Sequence, residues 1–193
     1  PLLWENDWPV AGESFTSGVY EISSVRRGYA LELAVDFVRH DIPRSRWWEA
    51  SDEPIASYPN QTLEEVKGTW PEGEIPARIG DWMNRPHQRW TVTAVPEAGG
   101  YLGGQYYKIQ IEGTDRVLTA AKDAEVTTAP SFTGAAEQLW RIEQLTDGTF
   151  RIMPKEVPGT DRQYVLTSIA DSTPTLAEYD FNSDNCKWKF IRK

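Results

Sequence analysis

Few side chains in this 193-residue chain are of the kinds that make and break bonds, and their spacing is poor for it. There are two histidines, His40 and His87, and one cysteine, Cys186. A catalytic nucleophile needs a base within hydrogen-bond reach and a third group to orient that base. No Gly-x-Ser-x-Gly, His-Glu-x-x-His or glycine-rich phosphate loop supplies such a set. His40-Asp41 with Asp36 is too sparse for a metal centre. The acidic pairs Asp52-Glu53 and Glu64-Glu65 would suit glycoside hydrolysis only at a defined separation in space. The residue types therefore predict no catalytic centre, no metal and no cofactor. What the chain carries in excess is aromatic surface: of nine tryptophans, Trp47, Trp48, Trp70 and Trp82 fall in one loop-rich stretch. There they must form either a satellite core or a binding platform.

Charge narrows the partners. With 29 acidic against 20 basic side chains the formal charge is −9, a field that repels polyanions. Nucleic acid binding would need a basic patch, and Arg78, Arg85, His87 and Arg89 form only a modest cluster. No apolar run approaches the roughly 20 residues of a membrane helix, so a soluble protein is expected, secreted rather than cytoplasmic. Pro1 is not an initiator methionine, which suits a processed product or a segment of a longer protein. Asn60-Gln61-Thr62 fits a glycosylation sequon. One cysteine excludes an internal disulfide, and Cys186 reads as a small buried thiol.

The elements that must position these side chains announce themselves by repetition. Gln88-Arg89-Trp90, Gln138-Leu139-Trp140 and Cys186-Lys187-Trp188 recur with the tryptophans 50 and then 48 residues apart, each followed by an alternating, strand-like run. Self-similarity at a long period means one supersecondary unit repeated. Each unit also opens alike, with Gly18-Val19-Tyr20-Glu21-Ile22, Gln105-Tyr106-Tyr107-Lys108-Ile109 and Gly148-Thr149-Phe150-Arg151-Ile152. Between these landmarks lie Gly113-Thr114-Asp115-Arg116-Val117-Leu118-Thr119 and Gly159-Thr160-Asp161-Arg162-Gln163-Tyr164-Val165-Leu166-Thr167. The degenerate counterpart in unit one is Arg27-Gly28-Tyr29-Ala30-Leu31-Glu32. Short strands punctuated by Gly and Pro argue for a single all-β domain.

Unit one is longer than the others by roughly 30 residues. Matching Ser45–Ala50 to the strands Ala124–Thr128 and Pro174–Tyr179 places the extra material at about 52–84, between that strand and Trp90. The expected organisation is an N-terminal arm, 1–16, clamped to the barrel by Trp4 and Trp8, then one domain over 17–193. Its repeats span about 17–95, 100–145 and 146–193. Helix has little room beyond a turn or two at Thr62–Lys67.

The three Gln-x-Trp units with Gly-x-aromatic-x-Ile openings resemble the ricin-type β-trefoil lectins over about residues 17–193. That resemblance implies three four-stranded units closing into a six-stranded barrel capped by three hairpins, with Trp90, Trp140 and Trp188 filling the core. It also implies sugar sites built from an Asp after the Leu of the second strand, a ring from the third strand, and an amide near Gln-x-Trp. At the Asp position this chain has Glu32, Thr119 and Thr167. Repeat one departs least: Glu32 keeps a carboxylate, Trp47 or Trp48 would supply the ring, and Asn84 and Gln88 the amides. Repeat three offers Tyr179, Asn182 and Asn185 beside Asp180. Repeat two, with Thr119 and Phe132, has no such set.

Two functions of different class follow. One is a non-catalytic lectin or sugar-binding module whose partners are glycans, galactose-type sugars among them. The other resembles the fungal β-trefoil protease inhibitors, which share the scaffold and bind by presenting loops; here the Pro-rich, Trp-bearing insertion would dock on a protease. The Gln-x-Trp pattern favours the first. The missing Asp residues and the insertion favour the second.

Overall fold

The computed structural model describes residues 15–36, 61–100, 104–169 and 173–193 in full, and the backbone alone of Leu2–Glu5, Trp8–Ala11, His40–Ile42, Ile55–Ser57 and Tyr101. Twelve strands form three sets of four. Repeat one holds β1 (Gly18–Ser24), β2 (Ala30–Leu33), β3 (Ile75–Gly80) and β4 (Trp90–Ala94). Repeat two holds β5 (Tyr107–Ile111), β6 (Val117–Ala120), β7 (Val126–Ala129) and β8 (Trp140–Gln144). Repeat three holds β9 (Phe150–Pro154), β10 (Val165–Ile169), β11 (Thr173–Ala177) and β12 (Trp188–Arg192).

The first and last strands of each set close a ring. β1 pairs with β4, β4 with β5, β5 with β8, β8 with β9, β9 with β12, and β12 returns to β1, every pair antiparallel. The middle strands form three hairpins, β2–β3, β6–β7 and β10–β11. This is the β-trefoil, and ring closure removes the edge strands that an open sheet would leave unpaired. Period-two patterning drives it: in β5, Tyr107, Ile109 and Ile111 are buried while Lys108 and Gln110 face outward.

The three repeat tryptophans are completely buried. Each indole N–H donates to the carbonyl of the second-strand leucine of its own repeat: Trp90 to Leu31 at 2.8 Å, Trp140 to Leu118 at 2.9 Å, Trp188 to Leu166 at 2.8 Å. The partners lie 22 residues apart in repeats two and three and 59 apart in repeat one. Ile22, Ile109 and Ile152, the isoleucines of the repeat openings, complete the core between them. At one end of the barrel Phe15 closes a cluster of Tyr20, Tyr107, Phe150 and Phe190.

The Gln of Gln-x-Trp clamps the loop that precedes it. Gln88 accepts the Met83 N–H through Oε1 and donates to the Asp81 carbonyl; Gln138 accepts the Thr133 N–H and donates to the Ser131 carbonyl. The sequence offsets of five and seven residues are identical. In repeat three Cys186 cannot do this, and side-chain turns take over: Asp180 accepts the Asn182 N–H and Ser183 the Asn185 N–H.

Strand register corrects the expected boundary of the insertion. Leu31 pairs with Ile79 as Leu118 pairs with Thr128 and Leu166 with Leu176. The third strand of repeat one is therefore Ile75–Gly80, and the extra residues lie before it, between β2 and β3, instead of after it at 52–84. Ser45–Ala50, Trp47 and Trp48 fall outside the described residues, as do the side chains of residues 1–14 of the N-terminal arm. The last part of the insertion is docked on repeat two. It contains the anticipated short helix α1 (Leu63–Val66), continued by a 3-10 turn at Lys67–Thr69 and started by Glu65, whose carboxylate accepts from both the N–H and the hydroxyl of Thr62. The buried Arg116 donates to the carbonyls of Pro71 and Gly73. Trp70 is half-buried and packs against the main core. Gly113 makes the approach possible, since a Cβ there would meet Leu63 Cδ2 at 2.7 Å.

Gln138→Ala strips the clamp from repeat two and removes its two part-buried hydrogen bonds, to the Thr133 N–H and the Ser131 carbonyl, which should cost about 1–3 kcal/mol in urea denaturation. Cys186→Ala should cost less, because among the described residues that thiol has just a long contact, 3.7 Å, with the Thr167 hydroxyl, whose shorter bond is to the Val165 carbonyl. Equal losses would show that the carboxamide is not the fastening.

Candidate functional site

The position after the second-strand leucine is where the resemblance expects a sugar-binding carboxylate. In repeat one Glu32 lies there, only 4% exposed. Its cross-strand neighbour is Arg78, which donates Nε to Oε1 at 2.5 Å and a second N–H to the Val35 carbonyl. Gln88 Nε2 donates to Oε2 at 2.6 Å, and His87 Nε2 stands 3.5 Å from the same oxygen. Gly80 leaves room for this carboxylate, as a Cβ there would sit 3.0 Å from Oε1. Burial alone pushes the Glu32 carboxyl up, but hydrogen bonds from His87, Arg78 and Gln88 outweigh it and hold the group below its ordinary value.

Glu32 and Gln88 are thus brought together, as the sequence anticipated, but for a structural purpose. Gln88 is fully buried, and its amide serves Glu32 and the loop backbone, leaving none for a sugar. Glu32 presents no open carboxylate. Nor does the third strand bring a ring: Arg78, Thr127 and Thr175 stand opposite Glu32, Thr119 and Thr167. The two threonines turn their hydroxyls back to their own strands, to the carbonyls of Val117 and Val165. Asn84 is exposed, in the left-handed conformation with φ 54° that Asn tolerates, next to the clamped Met83. The galactose-type combination is assembled in none of the three hairpins among the described residues.

On the loop from third to fourth strand, each repeat instead places one ring under a cation. Lys193 Nζ is 4.3 Å from the centre of Trp82, Lys108 Nζ 5.1 Å from Phe132, and the Arg151 guanidinium 4.9 Å from Tyr179. Lys108 and Arg151 come from equivalent outward positions on the first strands, one residue before Ile109 and Ile152. In repeat one that position is Glu21, which instead holds Lys193 at 2.8 Å.

Repeat three carries an open polar loop between its third and fourth strands. Asn182 is exposed and Asn185 half-buried, while Tyr179 rests on Met153, Val165 and Cys186. Between Asp180 and Asn182 stands Phe181, 71% exposed. Phe181 was missed by the sequence reading, although it occupies the place before the tryptophan that Met83 and Thr133 hold in the other repeats. Beneath the loop Lys187 bridges Asp147 at 3.2 Å and Asp184 at 3.0 Å. The hydroxyl and N–H of Thr149, with Lys187, hold the Asp147 carboxyl down to about 2. Among the described residues no three of His, Cys, Asp and Glu gather as metal ligands, and no helix is long and apolar enough to cross a membrane.

Fold and repeat pattern together define a β-trefoil with ricin-type features. Residues 86–160 match the family described as ricin-type beta-trefoil lectin domain-like. Among solved structures the chain is similar to a mosquitocidal holotoxin, at 14% identity and TM-score 0.60, covering 93% of this chain and 18% of that one, so it spans less than a fifth of the toxin. It is similar to the beta-trefoil lectin of the Vibrio vulnificus hemolysin/cytolysin, solved with N-acetyl-D-lactosamine bound, at 12% identity and TM-score 0.55, covering 93% and 97%. It is also similar to the Rhizoctonia solani agglutinin, at 20% identity and TM-score 0.55, covering 95% and 100%. At these identities the likeness is one of fold. A comparison with curated proteins finds no match.

Glu32→Gln leaves the Arg78 side chain without its anion. It should lower stability by about 2–3 kcal/mol at neutral pH, less than for a wholly buried pair because a third of the Arg78 side chain meets water. A carboxyl held below its ordinary value stabilises the fold above the ordinary carboxylate range and loses that contribution as pH falls through its folded value. The gap between wild type and variant, read from denaturation curves at stepped pH, should therefore close on acidification. A constant gap would remove the ionised Glu32 from the account.

Proposed function

We propose that this chain is a carbohydrate-binding module of lectin type, acting without catalysis, and that its glycan contacts lie on the third-to-fourth-strand loop of repeat three. The ricin-type match and the lectin folds it resembles support the first part. The second rests on one observation, the exposed Phe181 ring on a loop held by its own side-chain turns. A ring left in water at a fixed place offers an apolar face for the C–H side of a sugar, and Asn182 and Asp180 beside it offer an amide and a carboxylate for hydroxyls. Tyr179 and Asn185 support this loop from below: Tyr179 lies between Arg151 and the repeat-three core, and Asn185 accepts the Ser168 hydroxyl through its carbonyl.

Phe181→Ala and Asn182→Ala should each weaken glycan binding about tenfold with unchanged melting temperature, as expected for loss of one stacking or polar contact worth about 1–1.5 kcal/mol. Glu32→Gln should do the reverse, lowering stability and sparing glycan binding. A glycan array followed by titration of the best ligand reads both. Absence of any glycan signal would overturn the proposal; signal that survives Phe181→Ala would overturn the site.

A further inference from the structure

The strongest departure from threefold symmetry among the described residues, besides the repeat-one insertion, is the connection between the first and second strands of repeat three. It runs over residues 155–164, whereas its counterparts span 112–116 and 25–29. The longer loop walls a groove of about 690 Å³ against repeat two, within the range of small-molecule sites. Pro158 and Gly159, the latter at φ +87°, turn the chain so that Thr160 N–H returns to the Val157 carbonyl at 3.3 Å. Val157 is buried in the main core, Lys155 N–H is fixed to the Leu139 carbonyl at 2.7 Å, and Arg162 N–H is fixed to the Thr160 hydroxyl at 3.1 Å. The wall is therefore held by its own backbone, and a ligand need not order it.

The groove carries charges of both signs. Arg141, Lys155 and Arg162 line it against Glu156 and Asp161. Arg141 is ion-paired with Glu143, and Arg162 with Glu178 at 2.8 Å. Lys155 is different. Its ammonium donates to the Ala98 carbonyl at 3.1 Å and sits 4.8 Å over the Tyr106 ring, so among the described residues it meets a neutral oxygen and a π face but no carboxylate. An ammonium has three protons to give, which leaves two for an incoming anion. Asp161 and Gln163, both exposed on the same wall, can take and give hydrogen bonds to hydroxyls.

We propose that this groove is a second subsite that binds an acidic saccharide, with Lys155 pairing the sugar carboxylate and Asp161 and Gln163 binding its ring hydroxyls. The proposal rests on the carbohydrate-binding reading above and deepens it by naming the charge of the ligand. A neutral sugar leaves Lys155 where it is. A uronate gains a charge-assisted hydrogen bond to the exposed Lys155 ammonium, screened by salt.

The test is calorimetric titration of the full chain with α-1,4-digalacturonate and with the matching neutral digalactoside. The acid should bind at least tenfold more tightly, weakening as NaCl rises from about 50 to about 500 mM. Lys155→Ala should remove that preference, Lys155→Arg should restore most of it, and Phe181→Ala should leave the preference for the acid standing. Amide shifts in an NMR titration should centre on residues 155–163. Equal affinity for both sugars, or an acid preference unchanged in Lys155→Ala, overturns the subsite while leaving lectin activity intact. If neither these sugars nor any glycan on the array binds, the carbohydrate reading falls and the subsite with it.

Discussion

The hydrogen bond from each repeat indole to a leucine carbonyl of the same repeat is the contact on which the rest of the fold depends. A tryptophan supplies more apolar area than any other side chain, but its N–H cannot be buried without an acceptor. The second-strand leucine provides one at 2.8–2.9 Å in all three units. One contact therefore ties the last strand of a repeat, which belongs to the barrel, to the second strand, which belongs to the hairpin cap. It sets hairpin height and strand register together, because a shift by one residue would turn the carbonyl away and exchange buried for exposed side chains.

This local closure explains how repeat one tolerates so long an insertion. The Leu–Trp contact is indifferent to what the chain does between β2 and β3, provided that the hairpin register is kept. Loop-closure cost grows only with the logarithm of length, and the stretch from Leu31 to Ile79 is a little over two doublings of its counterparts, or about 1.4 kcal/mol. The Arg116 bonds to Pro71 and Gly73, the packing of Trp70 and the close approach at Gly113 offset that order of cost.

Much of the fold was legible because its determinants are spaced by chain geometry. The opening isoleucine, the second-strand leucine and the closing tryptophan recur in the same order in each repeat, and the structure puts all nine into one core. The third strand of repeat one was not legible. Ser45–Ala50 carries two aromatics and alternates plausibly, whereas Ile75–Gly80 contains a proline and a glycine; what selects the latter is its pairing with β2 and β7, a tertiary fact. The candidate site was less legible still. Residue type showed that Glu32 and Gln88 could bind hydroxyls, but not that Arg78 would stand opposite Glu32, because naming that neighbour needs the correct strand. Phe181 was overlooked for the opposite reason: it reads as one more apolar residue until the fold leaves it in water.

A shared physical logic links the sites that were lost and the sites that are proposed. At the position after the second-strand leucine, a side chain can serve either a ligand or its own repeat. Glu32 is satisfied by Arg78, Gln88 and His87, and Thr119 and Thr167 by their own backbones. A group whose bonds are already made inside the protein has little to gain from a ligand, since each new bond must first replace an existing one. The groups we propose for recognition are those whose bonding is incomplete: the Phe181 face, the Asn182 amide and the Lys155 ammonium. All three lie in repeat three, where Cys186 replaces the clamping Gln and the first connection is lengthened. Among the described residues, the unit that departs from the Gln-x-Trp pattern at its own signature is the one in which all three proposed contacts lie.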